Sequence, residues 1–136
     1  LQGNTIPRCF GSGTRSLASE RRAISPHVLL LEYIQDAKCL EDIDPSVVDR
    51  SLGLALMKTA RRFGELGVVH TDLNSSNILF APAARPTRAV VIDFADSGVR
   101  EEDEDSDYWA ETLRQARDFR VMGSRLKRYL GMTDLL

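Results

Sequence analysis

Two short stretches of this 136-residue chain carry side chains suited to handling a phosphate ester. His70-Thr71-Asp72-Leu73-Asn74-Ser75-Ser76-Asn77 reads H-x-D-x-x-x-x-N, and Asp93-Phe94-Ala95 follows a short apolar run. A hydroxyl nucleophile needs a carboxylate to orient it and accept its proton. Nucleotide phosphates travel with Mg²⁺, a hard cation that takes oxygen ligands from few protein groups. One amide oxygen and one carboxylate on neighbouring backbone segments suit that ion. Taken alone, Asp72 also fits a loop carboxylate that caps a turn. Beside Asn77 and Asp93 the chemical reading prevails.

The flanking patterns put these residues where such chemistry needs them. Ile78-Leu79-Phe80 and Ala89-Val90-Val91-Ile92 read as a small hairpin across a Pro82–Pro86 turn. Asn77 then precedes one strand, Asp93 follows the other, and both stand at one end. Upstream, Asp44 caps and Pro45 opens a long helix whose apolar face is Val48, Leu52, Ala55, Leu56, Thr59, Phe63 and Leu66. Gly67 stops it. Val28 to Ile34 is predicted to be a buried strand bounded by Pro26, and Ile6 to Phe10 a short strand between glycine turns. Residues 14–26, with Arg15, Arg21 and Arg22, read as a polar surface loop. Glu32 inside the apolar run calls for a basic partner such as Arg8.

Beyond the hairpin, residues 101–107 (EEDEDSD) form a solvated acidic run whose end suits a helix N-terminus. The spacing predicts one last helix carrying Trp109 as core anchor, then Leu113, Ala116, Phe119, Leu126 and Leu130, weakened at Gly123. Its arginines (114, 117, 120, 125 and 128) recur about every turn, as on a solvated face.

With these elements in order, the chain resembles the protein-kinase-like phosphotransferases, the superfamily of eukaryotic protein kinases, aminoglycoside kinases and choline kinases. The resemblance implies an α+β, protein-kinase-like fold: a mostly helical large lobe with a remnant of the small-lobe sheet. Residues 1–34 would be the small-lobe remnant and hinge, and 35–136 the large lobe. By the match Asp72 is the catalytic base, Asn77 and Asp93 are Mg²⁺ ligands, and His70 braces the loop. The backbone around Glu32, Tyr33 and Ile34 faces the adenine of ATP. The implied function is transfer of the γ-phosphate of ATP to a hydroxyl acceptor. The alternative is a non-catalytic kinase-like (pseudokinase) binding module.

The departures bear on that choice. Thr71 stands where protein kinases carry an arginine, Asn74 where Ser/Thr kinases carry a lysine, and no A-P-E follows Asp93. This resembles the atypical and small-molecule branches. The lysines are Lys38, Lys58 and Lys127, all after the hinge, so no strand lysine or glycine-rich loop is legible. Together with a start at Leu1, this suggests truncation at the N-terminus and weak binding of Mg·ATP.

Composition excludes other classes. Hydrophobic residues make up 43% and charged residues 28%, ordinary for one globular domain. A net charge of −2 gives no global field for nucleic acid or anionic lipid. The longest strongly apolar run, Val28 to Leu31, is too short to span a membrane, and no signal peptide is visible. Cys9 and Cys39 make no disulfide framework, and a reducing, cytoplasmic setting is expected. The partners that the resemblance implies are a nucleotide and a hydroxyl-bearing substrate.

Overall fold

The computed structural model describes residues 1–14 and 27–135. The polar loop expected at 14–26 thus falls almost wholly outside the described residues. The element order is β1 (Cys9–Thr14), β2 (His27–Leu31), β3 (Lys38–Cys39), α1 (Arg50–Glu65), β4 (Val68–Val69), β5 (Ile78–Ala81), β6 (Arg88–Val91), β7 (Gly98–Val99), α2 (Ser106–Ala116) and α3 (Asp118–Leu130). It is the α+β mixture expected from the sequence.

The hairpin holds. β5 and β6 are antiparallel with Ile78 opposite Val91, and β3 adds to the other edge of β5. The long helix also forms, but it starts later than Pro45. Asp44 caps a separate 3₁₀ turn, Pro45–Val47, and the chain is extended at Val48. Asp49 then caps α1 by accepting from the Ser51 N–H at 2.7 Å. Each aspartate binds the backbone two residues on, and the second cap outcompetes continuation from the first. Gly67 ends this segment with φ at +71°, as a glycine stop should.

Three further expectations are corrected. β1 covers Cys9–Thr14 rather than Ile6–Phe10, and Gly11 and Gly13 lie inside it, opposite Leu30 and Val28. A glycine in a strand leaves room for a bulky partner. β2 forms where expected but is not buried, with Leu29 and Leu30 each 67% exposed. It pairs only with β1, and among the described residues nothing covers this two-stranded ribbon. The last helix is two helices. Arg117 takes a left-handed φ of 57° between α2 and α3, so the break falls there and not at Gly123, which is buried within α3.

The core lies between α1, α3 and the three-stranded sheet. Leu56, Met57, Ala60 and Phe63 of α1 meet Ile78, Phe80 and Val91 of the sheet, with Met122 and Leu126 of α3. Leu56, Ile78, Phe80, Val91, Met122 and Leu126 are fully buried. Trp109 is buried too, but outside that cluster, so it is not the core anchor expected. Among the described residues no helix is long and apolar enough to cross a membrane.

Candidate active site

The H-x-D-x-x-x-x-N segment bridges β4 and β5, and its shape comes from side chains bonded to backbone. His70 is fully buried. Its Nε2 lies 2.9 Å from the Ile92 carbonyl, and its Nδ1 takes the Asp72 N–H at 3.3 Å. Its ring sits against Phe63 and, with centroids 4.6 Å apart, Phe94. His70 therefore braces the loop to the end of β6 and does not face the solvent. Thr71 holds a positive φ of 64°, unusual for a β-branched residue. That strain is offset by its N–H donating to Asp118 and its Oγ1 donating to the Asp96 carbonyl at 2.8 Å.

Asp72 and Asn77 are in direct contact. Asn77 Nδ2 donates to the Asp72 carbonyl at 3.0 Å and to Oδ2 at 3.2 Å. Asn74 Nδ2 reaches both oxygens of the same carboxylate, at 3.0 and 3.1 Å. The Asn74 Oδ1 meanwhile caps the turn Ser75–Asn77, accepting from the N–H groups of Ser76 and Asn77. Asp93 joins them through the hairpin. The Ile92 N–H donates to the Asn77 carbonyl at 2.9 Å, so Asp93 emerges beside Asn77 at the end of the paired strands. Asp93 is exposed and has a positive φ of 63°, which aspartate tolerates. The β4–β7 pair, with Val68 opposite Val99 and Val69 opposite Gly98, ties the segment after Asp93 back to the start of the loop.

The expected hinge residues border a cleft of about 680 Å³, within the range of small-molecule sites. Glu32, Tyr33 and Ile34 line one side, Leu29 and Leu31 another, and Leu79, Ile92 and Asp93 the floor and far end. Asp72 and Asn77 are not on its wall. The Glu32 side chain does not pair with that of Arg8. Arg88 of β6 grips it in a fork, Nη1 to Oε1 at 2.5 Å and Nη2 to Oε2 at 3.0 Å. The Arg8 backbone N–H adds a bond at 3.0 Å. The Arg88 fork first, then that N–H, hold the Glu32 carboxyl down to about 2 from its ordinary 4.5. With its side chain so engaged, Glu32 meets the cleft as backbone.

Two partners here have no local sequence signal. Arg88 is 56 residues from Glu32. Asp118 is 48 residues from His70, buried at 7% exposure, and accepts from the N–H groups of His70 at 2.6 Å and Thr71 at 3.2 Å.

The donor set fits Mg²⁺. Among the described residues no group of three His, Cys, Asp or Glu side chains could hold a metal alone. Mg²⁺ asks for less: one or two protein oxygens completed by phosphates and water. Asp93 is engaged only by the Ala95 N–H at 3.4 Å, and Asn77 commits its Nδ2 to Asp72, which leaves its Oδ1 for a ligand.

The fold is that of a protein-kinase-like domain. The model of the lipopolysaccharide kinase (Kdo/WaaP) family matches residues 3–123, and the chain belongs to that family. Among solved structures it is similar to the Rio2 kinase of Chaetomium thermophilum, described as an ADP/Mg²⁺-phosphoaspartate complex. The TM-score is 0.56 at 17% identity, over 97% of this chain and 35% of that one, a likeness of fold. This chain thus spans about a third of that kinase. No curated protein matches the sequence.

Proposed function

We propose that this chain carries the catalytic loop and metal ligands of an ATP-dependent phosphotransferase, with the γ-phosphate passing to a hydroxyl. The observation that carries the reading is one hydrogen-bonded unit. Asn77 binds Asp72 through its side chain and receives the Ile92 N–H through its carbonyl, one residue before Asp93, which borders the cleft. Asp72 accepts the proton of the acceptor hydroxyl as the hydroxyl oxygen bonds to the γ-phosphorus. The bond from that phosphorus to the β–γ bridging oxygen breaks, and ADP departs. Asn74 and Asn77 hold the carboxylate in place. Asn77 Oδ1 and the Asp93 carboxylate are the Mg²⁺ ligands; when bound, the ion neutralises charge on the phosphates. The backbone of Glu32 to Ile34 takes the adenine. The family's description makes a glycan hydroxyl the first acceptor to test.

A second reading, a non-catalytic nucleotide-binding module, rests on the cleft lining. Among the described residues no lysine or arginine lines the cleft, so none of them offers a basic side chain there to a phosphate. ATP turnover in the full protein that carries this chain separates the two. Asp72→Asn should lower kcat by roughly two to four orders of magnitude with Mg·ATP affinity nearly unchanged. Asp93→Asn should weaken Mg·ATP binding as well. If both variants transfer phosphate like the wild type, the motif is not catalytic and the module reading replaces this one.

A further inference from the structure

The arginines expected on a solvated helix face do something more specific. A basin of about 860 Å³ lies behind the catalytic loop, between the C-terminal end of α1, α2 and the start of α3. It shares no lining residue with the hinge cleft. Its apolar floor includes Val68, Trp109, Leu113 and Phe119, and five arginines from four parts of the fold stand around it: Arg61, Arg100, Arg114, Arg117 and Arg120.

The acids in the basin do not balance this charge. Glu65 is paired with Arg62 at 2.7 Å, and Asp118 spends its carboxylate on the His70 and Thr71 N–H groups. Arg114 pairs with Glu111, and Arg100 donates to Ser106 and the Glu104 carbonyl. Arg61 lies over the Phe119 ring, 5.0 Å from its centroid. Among the described residues no carboxylate pairs with Arg61, Arg117 or Arg120. A basin lined by like charges, in a chain whose net charge is −2, concentrates anions. α3 adds donors of its own. Its first turn lines the same basin, and Arg117 at its N-cap makes no side-chain capping bond. Free helix N–H groups and forked guanidiniums are together the donor set that multiply charged phosphate takes.

We infer that the basin bounded by Arg61, Arg117, Arg120 and the N-terminus of α3 is a binding site for a small molecule carrying a diphosphate or paired phosphates. It is separate from the nucleotide cleft. The ligand's phosphates meet the three guanidiniums, and its remainder lies on the Trp109–Phe119 floor. The inference does not rest on the catalytic reading, because neither Mg²⁺ nor Asp72 takes part.

Inorganic pyrophosphate tests it by calorimetry in the presence of a chelator, with Trp109, the chain's single tryptophan, as a fluorescent reporter on the basin floor. Saturable binding is expected, with a Trp109 change that sodium chloride at equal ionic strength does not reproduce. Arg61→Gln/Arg120→Gln should weaken binding at least tenfold. Both side chains are exposed, so its thermal melt should match the wild type; were that variant to melt early, Arg120→Gln alone would carry the comparison. Absence of saturable binding, or equal affinity in the arginine variant, would each overturn the site.

Discussion

Asp118→Asn is the most informative single change outside the cleft, because Asp118 holds the His70–Asn77 loop from behind. Its two oxygens accept from the buried His70 N–H at 2.6 Å and from the Thr71 N–H at 3.2 Å. Asparagine keeps one acceptor and turns an N–H₂ toward the other N–H. A hydrogen bond to a charged group contributes about 1.5–3 kcal/mol, and a stranded buried donor costs about 1–3 kcal/mol. With one bond kept in neutral form, the expected loss is about 2–3 kcal/mol. At this chain length that lowers the melting temperature by roughly 8–12 °C. Alanine, which strands both donors, should cost more. Circular dichroism melts give the totals, and amide exchange at His70 and Thr71 gives the location: in the variant both amides should exchange faster than in the wild type, by more than those of β5 and β6. An Asp118→Asn variant that melts within about 2 °C of wild type would show that the loop is held by other means.

Two further outcomes follow from packing and charge. Because Arg88 lowers the Glu32 carboxyl to about 2 from 4.5, its contribution to stability is complete above pH 4.5 and fades as pH falls toward 2; the melting difference between wild type and Glu32→Gln should shrink over that window, and a difference constant from pH 6 to 2 would contradict the pairing. A Cβ at Gly98 would meet Val69 Cγ2 at 2.9 Å, and valine has little freedom to move aside, so Gly98→Ala should cost about 1–3 kcal/mol in denaturant unfolding; an unchanged midpoint would mean the β4–β7 pair is looser than it looks.

What could be read from the sequence was what sequence neighbours decide. The loop from His70 to Asn77, the hairpin around Pro82–Pro86 and the stop at Gly67 each depend on spacing or on a residue's own backbone preference. The burial of β2 was misread because an apolar run records what a strand can pack against, not whether a partner is there. The Arg117 break was invisible because arginine has no left-handed preference, and tertiary packing imposes that φ. Glu32 found Arg88 rather than Arg8 because a forked guanidinium on β6, in a different sheet, outbids a partner nearer in sequence. The arginines of α2 and α3 do keep helical spacing, yet what gathers three of them around one basin is the angle between helices that the sequence showed as one.

The central claim is that the hinge cleft, Asn77 and Asp93 together hold a metal-bound nucleotide. The most direct measurement uses isotope-labelled chain with ADP and Mn²⁺ in place of Mg²⁺, read as paramagnetic broadening of backbone amides. Broadening should centre on Asn77 and on residues 93–95, with ADP-dependent shifts at Tyr33 and Ile34, and Asp93→Asn should abolish the broadening. Broadening confined to the acidic run 101–107, or persisting in Asp93→Asn, would contradict the account.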